Sequence, residues 1–196
     1  MEDAPSASLS DRIAQRVRAL RAARKLSLED LATHCGVSRS MISLIERGES
    51  SPTAVLLEKL ATGLGVPLAS LFDAPDAAPE PVARLAEQPL WRDPGSGYVR
   101  RNVSPAGFAS PIRIVEVSFP AGARVHYESA ARSPRLHQQV WVLEGRIAIT
   151  LGDEQHRLEA GDCLAMVLDR PMSYHNPTRK PARYAVVITS EPAAWR

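Results

Sequence analysis

Residues 26–48, LSLEDLATHCGVSRSMISLIERG, decide the reading of the front half of this chain. Ser27 stands where a helix N-terminus needs a side-chain acceptor, and Asp30, three residues later, completes a capping box. Leu28, Leu31 and Ala32 then recur at helical spacing. Gly36 follows Cys35 where that helix must stop and the chain must swing round, a position that favours positive φ. Ser38 caps a second helix whose Ile42 and Ile45 face inward, leaving Arg39, Ser40, Ser43 and Arg47 outside. A short helix with one apolar stripe and a face of small polar and cationic side chains fits the major groove of a duplex. The partner this predicts is double-stranded DNA.

Outward from the hairpin, Ser10 is expected to cap a helix reaching about Lys25, with Ile13, Val17 and Leu20 on one stripe. A fourth helix is expected from Pro52-Thr53, burying Val55, Leu56 and Leu60 and ending at Gly63 or Gly65. A short fifth covers residues 67–72. The predicted division is a disordered tail over 1–8, a helical domain over 9–73, a linker over 74–90 and a second domain over 91–196. The linker holds four prolines. Beyond it the period changes to β, with runs at 112–119, 138–143, 146–151, 164–168 and 184–189 between turn signals such as Glu144-Gly145 and Gly161-Asp162.

Composition sets bounds. At 196 residues the chain has room for two small domains, and 44% hydrophobic with 23% charged residues is ordinary for a globular protein. No run of 18 apolar residues exists, and MEDAPSASLS has no apolar core of a secretory signal. Cys35 and Cys163 make no disulfide framework and no Cys-based metal site. The expected location is the cytoplasm, at the nucleoid when bound to DNA. The net charge is only +2; residues 1–73 carry 9 basic and 9 acidic side chains, the remainder 15 and 13. Bulk charge therefore does not argue for nucleic acid. The crowding of Arg12, Arg16, Arg18, Arg21, Arg24 and Lys25 on the first helix argues for it weakly.

The front half resembles the XRE, or lambda-repressor-like, family over about residues 9–72. The matching runs are LSLEDLA, GVSRSMISLIERG, Ser51-Pro52 and LEKLATGLGVPLASLF. The resemblance implies a five-helix DNA-binding domain. It places Ser38, Arg39, Ser40 and Leu44 toward bases with Ser43 close by, and Ser27, Arg47 and Ser50 toward phosphates. It also implies a structural pair between Arg21 and Glu46. Many relatives carry Gln where this chain has Leu28, so a contact there is not carried over.

The rear half resembles the cupin family over about 110–190. The matching series is VWVLEGR (140–146), LEAGDC (158–163), Arg170-Pro171, Asn176-Pro177 and Arg183-Tyr184. This implies a double-stranded β-helix barrel and, taken with the front half, a multidomain α + β chain. Many cupins gather two histidines spaced His-x-His, a glutamate and a third histidine on one divalent metal. Here the glutamate position is Gln138, the third-histidine position is Met172, and no His-x-His occurs; His126 and His137 are eleven residues apart. Amide and thioether are poor ligands for such an ion. The expectation is no metal, no cofactor, no catalytic residue and no enzyme. What remains is a pocket lined by His137, Gln138, Val140, Val142, Met172, Tyr174 and Asn176, suited to a small organic effector, with Arg113, Arg124, Arg132 or Arg135 as possible anion anchors. His34, His156 and His175 are read as ordinary.

The combination resembles XRE-type transcription regulators with a C-terminal cupin sensor, acting as homodimers on paired half-sites. Two alternatives stand beside it. One is a cupin-type metal-dependent oxygenase or epoxidase with an attached helix-turn-helix. The other is a cupin that serves only to dimerise.

Overall fold

The protein is described here from a computed structural model covering residues 9–73, 80–128 and 135–190. The tail over 1–8, linker residues 74–79 and Arg132 lie outside the described residues. The helical unit contains α1 (Leu9–Ala23), α2 (Leu28–Cys35), α3 (Arg39–Glu46) and α4 (Ala54–Gly63). Ser10 lies inside α1 instead of capping it. Thr53 caps α4, its hydroxyl accepting from the Leu56 amide at 3.3 Å, so Pro52 precedes the cap and is not an early helical residue. The expected fifth α-helix is a five-residue 3₁₀ turn, Leu68–Phe72, so the described residues hold four α-helices, not five. After Pro67 the run LASLF ends at an extended Asp73, too short to propagate i→i−4 bonds.

Ile13, Val17, Leu31, Ile42, Ile45 and Leu60 form the buried centre of the bundle. α4 departs from its expected face: Ala54, Leu57, Leu60 and Ala61 are buried, whereas Val55 and Leu56 are only half-buried. The cause is that α4 packs against α2, the 3₁₀ turn Leu68–Phe72 and the β unit at once.

The β unit runs β1 (Leu90–Arg92), β2 (Val99–Asn102), β3 (Ile112–Phe119), β4 (Arg124–Tyr127), β5 (Leu136–Glu144), β6 (Arg146–Leu151), β7 (Glu154–Glu159), β8 (Cys163–Val167), β9 (Met172–His175) and β10 (Ala182–Ser190). Strands β1-β2-β3-β10-β5-β8 pair in one sheet and β4-β9-β6-β7 in another, all antiparallel. The expected closed barrel is therefore two facing sheets, with no hydrogen-bonded pairing between them among the described residues. Gly145 marks one crossing, where β5 of the first sheet turns into β6 of the second. Its φ is +76°, and a Cβ there would stand 2.9 Å from the Pro181 carbonyl oxygen. Val115, Val117, Phe119, Val140, Val142 and Ile149 fill the space between the sheets.

The two units are docked. Asp93, just after β1, accepts from the Ala54 amide at the start of α4 at 2.8 Å. Arg113 of β3 reaches Asp73 at 3.3 Å, and Lys59 of α4 reaches Glu128 at 2.9 Å. The Phe72 and Trp91 rings meet at 5.5 Å.

Candidate nucleic-acid interface and buried cavity

The hairpin is pinned by local bonds. The Ser27 hydroxyl accepts from the Asp30 amide at 3.0 Å, and the Asp30 carboxylate accepts from the Ser27 amide at 2.8 Å. Those bonds to Ser27 hold the Asp30 carboxyl below its ordinary range. Gly36 closes α2 at φ +64°, its amide donating to the Ala32 carbonyl at 2.9 Å. Ser38 caps α3 by accepting from the Met41 amide at 3.3 Å. The Arg21 guanidinium grips Glu46 with two bonds of 2.7 Å, tying α1 to the end of α3.

This framework leaves one face of α3 outward. Arg39, Ser40 and Arg47 are exposed, and Ser43 and Leu44 are half-buried on the same helix. Arg47 bonds the Ser43 hydroxyl and pairs with Glu49 at 2.7 and 2.8 Å. The pair lies in full solvent, where screening leaves it weak. The Ser50 hydroxyl lies 3.8 Å from the Met41 sulfur. Leu28 packs against the bundle core. Of the basic residues on α1, Arg16 donates to the Ser70 carbonyl at 3.1 Å and Arg21 is held by Glu46, while Arg18 stays exposed.

A cavity of about 60 Å³ lies where the two units meet. The β unit contributes Gln138, Met172 and Tyr174 to it, together with Tyr98 and Arg100; the helical unit contributes Glu58 and Leu68. The Gln138 amide donates to the Tyr174 hydroxyl at 2.5 Å and lies 3.8 Å from the Met166 sulfur. Burial pushes the Tyr174 phenol far above its ordinary range, so it stays neutral. Tyr174 stacks on Tyr184 at 6.0 Å.

His137, Val140, Val142 and Asn176, expected with these residues, are not in the lining. Val140 and Val142 share the inward face with Gln138 but sit deeper, fully buried in the packed centre. His137 is half-buried on the other face of β5, as period-2 alternation requires. Asn176 is buried and committed to its own turn, donating to the Phe119 and Lys180 carbonyls at 3.3 and 2.8 Å and accepting from Thr178. Among the described residues no group of three or more His, Cys, Asp or Glu side chains is gathered as a metal site.

Among the described residues, the cation at the cavity is not Arg113, Arg124 or Arg135. Arg113 is engaged by Asp73, Arg124 lies 3.4 Å from His175, and neither they nor Arg135 border the space. Arg100 does. It lies in the polar run Val99–Asn102, VRRN, where two adjacent arginines on a strand must face opposite ways. That alternation was the one available signal.

The Helix-turn-helix family model HTH_3 matches residues 17–71, and the Cupin domain model Cupin_2 matches residues 116–188. The chain is 29% identical over 160 residues to the HTH-type transcriptional regulator SutR of Escherichia coli (strain K12), covering 82% of this chain and 84% of that one. It is 24% identical over 162 residues to the HTH-type transcriptional regulator PuuR of the same organism, covering 83% and 86%. Among solved structures, an HTH_3 family transcriptional regulator from Vibrio cholerae superposes with a TM-score of 0.75 at 26% identity, covering 94% of this chain and 98% of that one.

Proposed function

Since the chain belongs to the XRE-type helix-turn-helix transcriptional regulators that carry a C-terminal cupin domain, we propose that it reads a specific duplex sequence as a homodimer and answers to a small organic effector. α3 enters the major groove, with Ser38, Arg39, Ser40 and Leu44 toward base edges and Ser43 beside them. Arg39 makes a bidentate contact to guanine, which is worth about 1–3 kcal/mol of discrimination. Ser27, Arg47 and Ser50 meet phosphates and set the register. The observation that carries this reading is the outward face of α3, presented on a helix fixed at both ends by the Ser38 cap and the Arg21–Glu46 pair.

One recognition helix covers too few base pairs for tight specific binding, so paired half-sites about 34–36 Å apart are required. The outer face of the larger sheet supports pairing with a second copy. Ile112, Ile114 and Trp141 are 47%, 38% and 52% exposed there, on strands that flank β10. The cupin domain acts without metal catalysis. Gln138 is committed to Tyr174, and Met172 packs at 5% exposure. The protein works in the cytoplasm, where its DNA is.

The test is retardation of sheared genomic duplex by the full chain at fixed low salt, followed by sequencing of the retained fragments. Recovery of a palindromic site supports the reading; no retention at any salt overturns it. Trp141→Glu is expected to convert the dimer to a monomer by light scattering and to reduce site affinity.

A further inference from the structure

The cavity has one unmet demand. Arg100 is 5% exposed. Its Nε donates to Asn102 at 3.3 Å and its guanidinium lies 5.2 Å from the Phe72 ring centre, yet buried Nη2 finds no acceptor among the described residues. A guanidinium keeps its charge, so an orphaned N–H in so dry a place is unfavourable until an acceptor arrives. The planar fork matches a carboxylate best. The space beside it is about 60 Å³, room for a handful of water-sized groups at about 10–15 Å³ each. A carboxylate with a few methylenes fits among Val117, Leu136 and Met172; a longer tail presses on the wall that Glu58 and Leu68 supply.

The far wall belongs to the DNA-binding unit. Glu58 of α4 is 8% exposed and lines the cavity together with Arg100, Tyr98 and Tyr174. Leu68 closes the same side. Resting on the regulator reading above, we propose that this cavity receives a small organic carboxylate on Arg100 Nη2, and that its entry presses α4 away from the β unit. Two forces act on α4: repulsion between the incoming anion and Glu58 in a poorly screened site, and the volume of any tail beyond the closed space. A ligand that lowers contact between the units moves the recognition helices of the dimer, and DNA affinity follows through linkage.

The probes are sodium butyrate, sodium hexanoate and the neutral isostere butyramide, added to the full chain at matched ionic strength. Butyrate is expected to raise the unfolding midpoint and butyramide to leave it unchanged. Arg100→Met, which keeps an apolar stem against Phe72, is expected to weaken butyrate at least tenfold, and Glu58→Gln to tighten it severalfold. Hexanoate is expected to speed hydrogen exchange at the Ala54 amide and to change affinity for a recovered duplex site. The proposal is overturned if butyramide binds as well as butyrate, if folded Arg100→Met keeps the butyrate response, if Glu58→Gln weakens it, or if Ala54 exchange and DNA affinity stay fixed under saturating hexanoate. Should Arg100→Met not fold, the Glu58→Gln and butyramide comparisons decide. Loss of all DNA retention with butyrate binding intact sinks the regulator reading alone.

Discussion

Replacing Asp93 with alanine tests how the two units are held together. Asp93 is 3% exposed, and its carboxylate accepts three hydrogen bonds: from the Ala54 amide at 2.8 Å, and from the Ser96 amide and hydroxyl at 2.8 and 2.6 Å. Ser96 is half-buried and recovers water when the acceptor is removed. Ala54 is fully buried and does not, so its stranded N–H costs about 1–3 kcal/mol. Loss of a negative charge at the N-terminus of α4 adds about 0.3–1 kcal/mol. The sum centres on about 3 kcal/mol, which in a chain of 196 residues lowers the melting temperature by roughly 6–12 °C. Urea denaturation gives the free energy, calorimetry the midpoint, and amide exchange at Ala54 the location. A loss below about 1 kcal/mol, or an Ala54 amide no more labile than in the wild type, refutes the account of Asp93 as the clasp.

Arg39→Ala is expected to reduce discrimination at one base pair by about 1–3 kcal/mol with little change in non-specific binding. Arg47→Ala is expected to weaken all sequences alike and to lower the salt slope by about 1; anisotropy titrations over a salt series separate the two. Gly145→Ala combines a φ of +76° with a Cβ 2.9 Å from the Pro181 oxygen, and thermal melts are expected to show a loss of about 2 kcal/mol or more. Burial holds the Asp73 carboxyl above its ordinary range, while Arg113, Arg16 and Arg100 pull it down. A raised carboxyl favours the folded state below its unfolded value of 3.8 and loses that contribution as pH rises through the folded value. Arg113→Met is therefore expected to raise the Asp73 value further by carbon-detected NMR titration, and to cost more stability at pH 7 than at pH 3.

Legibility followed the range of the forces. The hairpin was readable because Ser27, Asp30, Gly36 and Ser38 act within a few residues of themselves. Strands β3 and β6 were readable at their ends, 112–119 and 146–151, because β3 is long and rich in β-branched residues and β6 is a mostly apolar run between Gly145 and Gly152. Strands β1, β2, β4 and β9 carry four residues or fewer, and the six of β7, EQHRLE, are strongly polar, so none gave such a pattern. Within the cavity, alternation named Gln138 and Tyr174 but also Val140 and Val142, because it assigns a face and not a depth. The docking was invisible: Asp93 meets Ala54 across 39 positions, and only tertiary packing brings Glu58 of α4 to face a β-sheet interior. A charged residue on a mostly apolar helix reads as solvated until its neighbour is known.

The placement of Trp91 equips the molecule with an optical gauge. Its indole is wedged 5.5 Å from Phe72 of one unit and 5.8 Å from Tyr98 of the other, and only 7% of the residue meets solvent. Trp141 sits half in water on the outer sheet, and Trp195 lies outside the described residues. With both of these changed to Phe, emission arises from the seam alone. A shift toward longer wavelength then registers the instant the halves part, with no dye attached.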